Sequence, residues 1–186
     1  MFGKLFLGGI LVFMVGCANL PATLITKSKD PITDLMVILQ HPQASQGKDV
    51  RLGGVIASIR NEQQQTRIEI VAMPLTTDGR PILHTQPQGR FIAYVDGFLE
   101  PIEYAKGRLL TIAGQFSGDE LGKIGQHPYI FPVVQVSGKQ LWKVQQQVLL
   151  NGRRQPCHSR NCRRWDNGLR MSNFGINGRI VERVVL

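Results

Sequence analysis

From residue 50 onward, apolar positions alternate with polar ones over short distances, and turn residues interrupt them about every ten residues. Val50–Arg60 (VRLGGVIASIR) is rich in β-branched and small residues and predicts a strand; Gly53-Gly54 inside it predicts a bulge or a sharp coil. The polar run Asn61–Gln65 predicts a hairpin loop. Thr66–Met73 (TRIEIVAM) places Ile68, Ile70 and Ala72 on one face and Arg67, Glu69 and Val71 on the other, the two-residue period of a half-buried strand. Pro74 stops it, and Thr77–Gly79 has turn chemistry. Gly89–Asp96 and Arg108–Phe116 predict two further strands, with the Gly-containing stretch Ser117–Gly125 reversing the chain after them. Tyr129–Val136 and Gln140–Val144 follow, joined by a Ser137-Gly138 turn, and Pro132 assigns the first of them an edge or bulge position. Upstream, Thr33–Gln40 (TDLMVILQ) reads as a helical turn or two, or an edge strand, ended by His41-Pro42. No long stretch carries the helical period. The pattern predicts a mainly β fold, a small OB-like Greek-key barrel of about five to seven short strands.

The first residues follow another logic. Lys4 precedes the apolar run Leu5–Val15, which is too short to span a bilayer comfortably and reads as a signal peptide. The run ends Met14-Val15-Gly16-Cys17, which resembles a bacterial lipobox, with Met14 where leucine is usual. In proteins of that kind cleavage leaves the cysteine first, its thiol takes a diacylglyceryl group, and the new amine is acylated. A thiolate is the nucleophile this transfer needs, and two or three acyl chains hold a protein on a bilayer where one does not. Ala18, where aspartate commonly retains such proteins at the inner membrane, implies export to the outer membrane. The alternative is a plain signal peptide with a cysteine near its end. The chain therefore divides into a lipoprotein signal peptide (1–16), a lipidated N-terminus and tether (17–30), a β-barrel domain (31–148) and a basic tail (149–186) expected to be disordered.

Charge changes the picture less than its total suggests. The chain of 186 residues carries a formal net charge of +9. Eight arginines against Asp166 and Glu182 place most of it after residue 150, so the domain is nearly neutral and no nucleic-acid partner is expected. The tail suits phosphate groups of anionic lipid or lipopolysaccharide better in an exported protein, with Trp165 among Arg163, Arg164 and Arg170. Cys157 and Cys162 form a candidate disulfide in an oxidising compartment, or two free thiols in the tail. With His158 they offer at most three zinc ligands where a structural site takes four.

Few residues suggest catalysis. His41, His84 and His127 lack paired spacing for a metal, so no metal or cofactor is expected. Asp96, Glu100 and Glu103 (DGFLEPIEY) are the densest carboxylate group, suited to acid–base work or a cation, or to accepting backbone N–H bonds in a turn and pairing with Arg108. Tyr94, Phe98, Tyr104, Tyr129, Phe131 and Trp142 lie on or beside strands, where they fill a small barrel or line a ligand face.

RLGGVIASI, TRIEIVAMPL, GRFIAYVDGFLEPIEYAKGRLLTIAG and YIFPVVQV followed by LW together resemble the Slp family of starvation-associated outer-membrane lipoproteins, over about residues 15–145. The densest part is Phe91 to Pro101, then Tyr104 and Gly107-Arg108. The resemblance implies an outer-membrane-anchored, non-catalytic protein with a periplasm- or surface-facing domain, acting in envelope structure or adaptation to stress and starvation. It carries over one residue, Cys17, as the lipid attachment point. The alternative function is a binding module for glycan, peptidoglycan or lipopolysaccharide on the OB-like barrel. Beyond residue 145 the Arg-rich text departs from the family, as an aberrant C-terminus would.

Overall fold

The computed structural model describes residues 20–150 and 178–186. Strand β1 (Asp49–Asn61) forms a hairpin with β2 (Gln65–Met73), and β2 forms an antiparallel pair with β3 (Gly89–Asp96). β4 (Leu109–Ile124) returns to pair with the other edge of β1, giving the order β4-β1-β2-β3 of a Greek key. β5 (His127–Leu150) runs antiparallel to β4 and also pairs in parallel with β3 at Ile92↔Val133, Ala93↔Val134 and Tyr94↔Gln135. The pairings thus form a ring, β1-β2-β3-β5-β4, that curls the sheet into a barrel-like wall. The mainly β expectation holds as a barrel-like sheet in Greek-key order, although β4 and β5, at 16 and 24 residues, are longer than the short strands expected.

Alternation explains the interior. Ile68, Ile70 and Ala72 are buried, as their period requires, beside Val50, Leu52, Ile56, Phe91, Ala93, Leu110, Ile112, Phe116 and Val134. One end is plugged by helix α1 (Leu35–Gln40), through fully buried Leu35 and Ile38. Asp34 starts that helix by accepting from the Met36 amide at 2.8 Å, satisfying a donor the first turn leaves free. Helix α2 (Pro42–Ser45) follows at once, with Pro42 at its first position. The turn after β3 contributes Leu99 and Tyr104 to the same core.

The structure departs from the sequence pattern in five places. Ser117–Gly125 is not a reversal: β4 continues to Ile124, bulges between Phe116 and Gly118, and turns only at Gly125-Gln126. Nor is Ser137-Gly138 a turn; β5 passes through it with a register shift opposite Ala113/Gly114. Glycine and serine here bend strands that must coil around the ring, and bulges supply that bend. Gly53-Gly54 is not itself the bulge, which lies between Ile56 and Ser58. Its role is close approach, since a Cβ on Gly54 would lie 1.8 Å from the Val71 carbonyl oxygen. The tail expected to be disordered over 149–186 contains strand β6 (Gly178–Val185), paired antiparallel with Lys143–Leu150 of β5. The overhang of β5 offers an open edge, and pairing there seats Val184 of β6 against the cluster of Leu24, Leu109, Ala113 and Trp142. Of the expected tether (17–30), residues 20–26 are seated on the barrel instead: Leu24 is fully buried, and its carbonyl accepts from Arg51 Nε.

Candidate functional site

The outer face of β2 and β3 carries the densest charge pairing of the described residues. Strand alternation turns Arg67 and Glu69 of β2 outward, opposite Tyr94 and Ile92 of β3 in register. The far half of the β4–β5 hairpin folds over this face and brings Glu120, Tyr129 and Phe131 onto it. The Arg67 guanidinium donates from Nε and Nη2 to Glu120 Oε1 at 3.1 and 2.8 Å, and the Tyr94 hydroxyl donates to Glu120 Oε2 at 2.8 Å. Beside them Arg90 Nη1 meets Glu69 Oε1 at 2.5 Å, and the Arg90 amide donates to the Tyr129 hydroxyl at 3.1 Å. Beneath lie Ile92, Phe131 and Val133, all buried, with Arg67 5.9 Å from the Phe131 ring centre.

Burial pushes the Glu120 carboxyl up, but the hydrogen bonds from Arg67 and Tyr94 outweigh it and hold the carboxyl below its ordinary value. Burial, then the bond to Glu120, raises the Tyr94 hydroxyl. A carboxylate clamped in this way is a weak base, with no histidine or nucleophile in the network to work with. The arrangement fixes a hairpin more readily than it moves protons.

Its contribution is measurable. Glu120→Gln is expected to cost about 2 kcal/mol near neutral pH, between the values of exposed and buried pairs, because the Arg67 and Glu120 side chains are 13% and 29% exposed. A folded-state pKa below the unfolded one stabilises above the unfolded value, about 4.3, and that stability is lost as pH falls through the folded value. The gap between wild type and Glu120→Gln in urea unfolding should therefore be full at pH 7 and shrink in the acidic range below the unfolded value. A gap independent of pH refutes the charged clamp.

The residues singled out by sequence fall elsewhere. Glu100 caps the turn after β3, its carboxylate accepting from the Ile102 amide at 3.3 Å and its backbone carbonyl from Tyr104 at 3.0 Å. Arg108 is absent from the ion pairs among the described residues, so the expected pairing with this carboxylate group does not form. His41 flanks two helices, and His84 meets Glu182 of β6 at 3.2 Å. His127 opens β5. Among the described residues no three His, Cys, Asp or Glu side chains converge as metal ligands do. Tyr104, Phe131 and Trp142 are buried, whereas Phe98 is exposed. Cys17, Cys157 and Cys162 lie outside the described residues. The Arg67–Glu120 pair escaped sequence reading because its members stand 53 residues apart, on a strand and on a segment read as a turn.

No helix among the described residues is long and apolar enough to cross a membrane. The family model for the outer membrane lipoprotein Slp family matches residues 14–167, which carries the likeness past residue 145. The chain is 37% identical to the uncharacterized lipoprotein YeaY of Escherichia coli (strain K12), over 77% of this chain and 74% of that one. It is 36% identical to an uncharacterized protein of Haemophilus influenzae, over 74% and 75% of the two chains. It is 29% identical to the outer membrane protein Slp of Escherichia coli (strain K12), over 73% and 72%. No solved structure matches. The chain belongs to the outer membrane lipoprotein Slp family and is a lipoprotein of the outer membrane.

Proposed function

We propose that Cys17 bears the lipid and that the barrel is a non-catalytic envelope domain, acting by contact in envelope structure or in adaptation to stress and starvation. The observation that carries this reading is the covered β2–β3 face. Barrels of OB type commonly take ligands there, and in this chain Arg67, Tyr94 and Glu120 are spent on one another beneath the protein's own hairpin. What remains for partners is the outer surface, including Leu121 and Ile130, which pair across the hairpin and are 83% and 58% exposed.

The anchor is tested by intact mass and membrane fractionation after expression in a Gram-negative host. The wild-type chain should begin at residue 17, carry added acyl mass and sediment with outer membrane. Cys17→Ser should lose the acyl mass and accumulate unprocessed. A soluble, lipid-free wild-type chain cleaved elsewhere refutes the reading. The contact role predicts that cross-linking in cells recovers one defined envelope protein; recovery of abundant background proteins alone counts against it.

One observation favours a second reading, a glycan-binding module. Glu62, Gln63, Gln64, Gln65 and Asp96 line an open concavity of about 680 Å³, within the size range of small-molecule sites. Its amides and carboxylates are the groups that hydrogen-bond sugar hydroxyls. Saturable binding of peptidoglycan or lipopolysaccharide fragments with a rise in melting temperature supports it; no shift removes it.

A further inference from the structure

We infer that the short reach from Cys17 holds one defined side of the barrel against the headgroup layer of the outer membrane and turns the β2–β3 side away from it. This rests on the reading of Cys17 as the lipid-bearing residue. The segment after the anchor is fixed almost from its start. Leu20 and Leu24 pack over Gly79, where a Cβ would lie 3.1 and 3.0 Å from their Cδ1 atoms. Leu24 is fully buried in one cluster with Leu109, Ala113 and Trp142, and Leu20, Val55, Leu83 and Val184 border it. The Arg51 side chain donates from Nε to the Leu24 carbonyl at 3.0 Å. Thr23 lies on the bare backbone of Gly138, where a Cβ would stand 1.8 Å from the Thr23 carbonyl oxygen. Only glycine at that position permits so close a seat.

Covalent geometry then sets the distance. The three residue steps from Cys17 to Leu20 span at most about 10 Å between Cα atoms, whatever their conformation. A folded domain of this size has a radius of gyration of about 14 Å. A tether shorter than the body it holds prevents that body from turning its far side to the anchor. The side facing the lipid is the one bearing residues 20–26, the turn at 76–80, Leu83 and the Trp142 cluster. Ile25, in that segment, and Ile82, next to Leu83, are 64% and 37% exposed, and Arg80 lies over Trp142 with its ring centre at 5.5 Å. Arg80 is paired with Asp78 at 3.1 Å, so it is the exposed apolar side chains, Ile25 and Ile82, that suit this side to a lipid interface. In the ring of pairings, β2 and β3 stand across from this side. The Arg67–Glu120 clamp and the exposed hairpin residues therefore face the aqueous compartment.

The test uses the full-length lipidated chain carrying Cys157→Ser and Cys162→Ser, with one introduced cysteine for a fluorescent donor. Thr77→Cys labels the turn beside Leu20, and Lys123→Cys labels the hairpin on the opposite side; both sites are exposed. The protein is reconstituted in vesicles of phosphatidylethanolamine and phosphatidylglycerol bearing a headgroup acceptor dye. Energy transfer from Thr77 should exceed that from Lys123 at least about twofold, because the labels are separated by much of the domain's width. Inserting twenty Gly/Ser residues between Asn19 and Leu20 adds a root-mean-square reach of about 25 Å and should bring the two signals together. Equal transfer from both sites in an acylated wild-type chain overturns the orientation. Persistence of the difference with the long linker overturns the tether as its cause. Absence of acyl mass shows instead that the Cys17 reading has failed, and the orientation with it.

Discussion

Gly54→Ala is expected to unfold the barrel or to cost about 3 kcal/mol or more, at the top of the range for overpacked cores. Gly54 stands opposite Ala72 of β2 and Leu110 of β4, in the middle of the wall. The added methyl would lie 1.8 Å from the Val71 carbonyl oxygen and 2.8 Å from its carbon. Those are backbone atoms, so no rotamer change relieves the clash; β2 must move away from β1 or the ladder must break. Set against a total stability of about 5–15 kcal/mol, that loss is large. The control is Gly47→Ala. Gly47 has φ 73° with nothing within 4 Å of its Cβ position, so only the left-handed backbone penalty of about 1 kcal/mol is expected. Thermal unfolding of both variants by circular dichroism gives the comparison. Equal melting temperatures for the two variants show that the strands do not approach as described.

Trp142→Ala carries the second large effect, about 4 kcal/mol, as large aromatic truncations in cores do. Trp142 is 1% exposed and is the largest side chain in the outer cluster with Leu24, Leu109 and Ala113. Its Nε1 donates to Thr111 Oγ1 at 2.9 Å, and the Thr111 hydroxyl donates onward to the Gly79 carbonyl at 2.7 Å. Removing the indole leaves a cavity under the N-terminal segment and strips Thr111 of a partner. The loss should therefore be local as well as global, with amide exchange rising first at Leu24 and Gly79. Trp142→Phe loses the N–H and part of the ring but keeps most of the volume, so it should cost less, about 2 kcal/mol for the hydrogen bond and a smaller cavity. Similar losses for Trp142→Ala and Trp142→Phe argue that packing at this position is not what holds the segment down.

Both positions show where the sequence is informative and where it is not. The alternation in TRIEIVAM is local and survives into the structure residue by residue, because in this sheet one face of β2 is core and the other is not. Gly54 was legible as an unusual strand residue, but two meanings of a strand glycine, bulge or close approach, look alike without the partner strand. Ser117–Gly125 and Ser137-Gly138 misled for a related reason. Turn-forming residues also occur in long strands that bend, and only pairing with a neighbour distinguishes the two uses. Aromatics gave a mixed signal: Phe131 and Trp142 are as buried as core residues, yet both lie outside the barrel interior, in clusters formed by the hairpin and by the N-terminal segment.

By itself the sequence determined the strand-rich class, the inward face of β2 and the family, because each is written in neighbouring residues. The tertiary structure alone decided the closure of β3 on β5, the docking of residues 20–26 and 178–185, and the Arg67–Glu120 clamp across 53 residues. These depend on which distant segments gain most by burying the same surface, a competition settled in three dimensions.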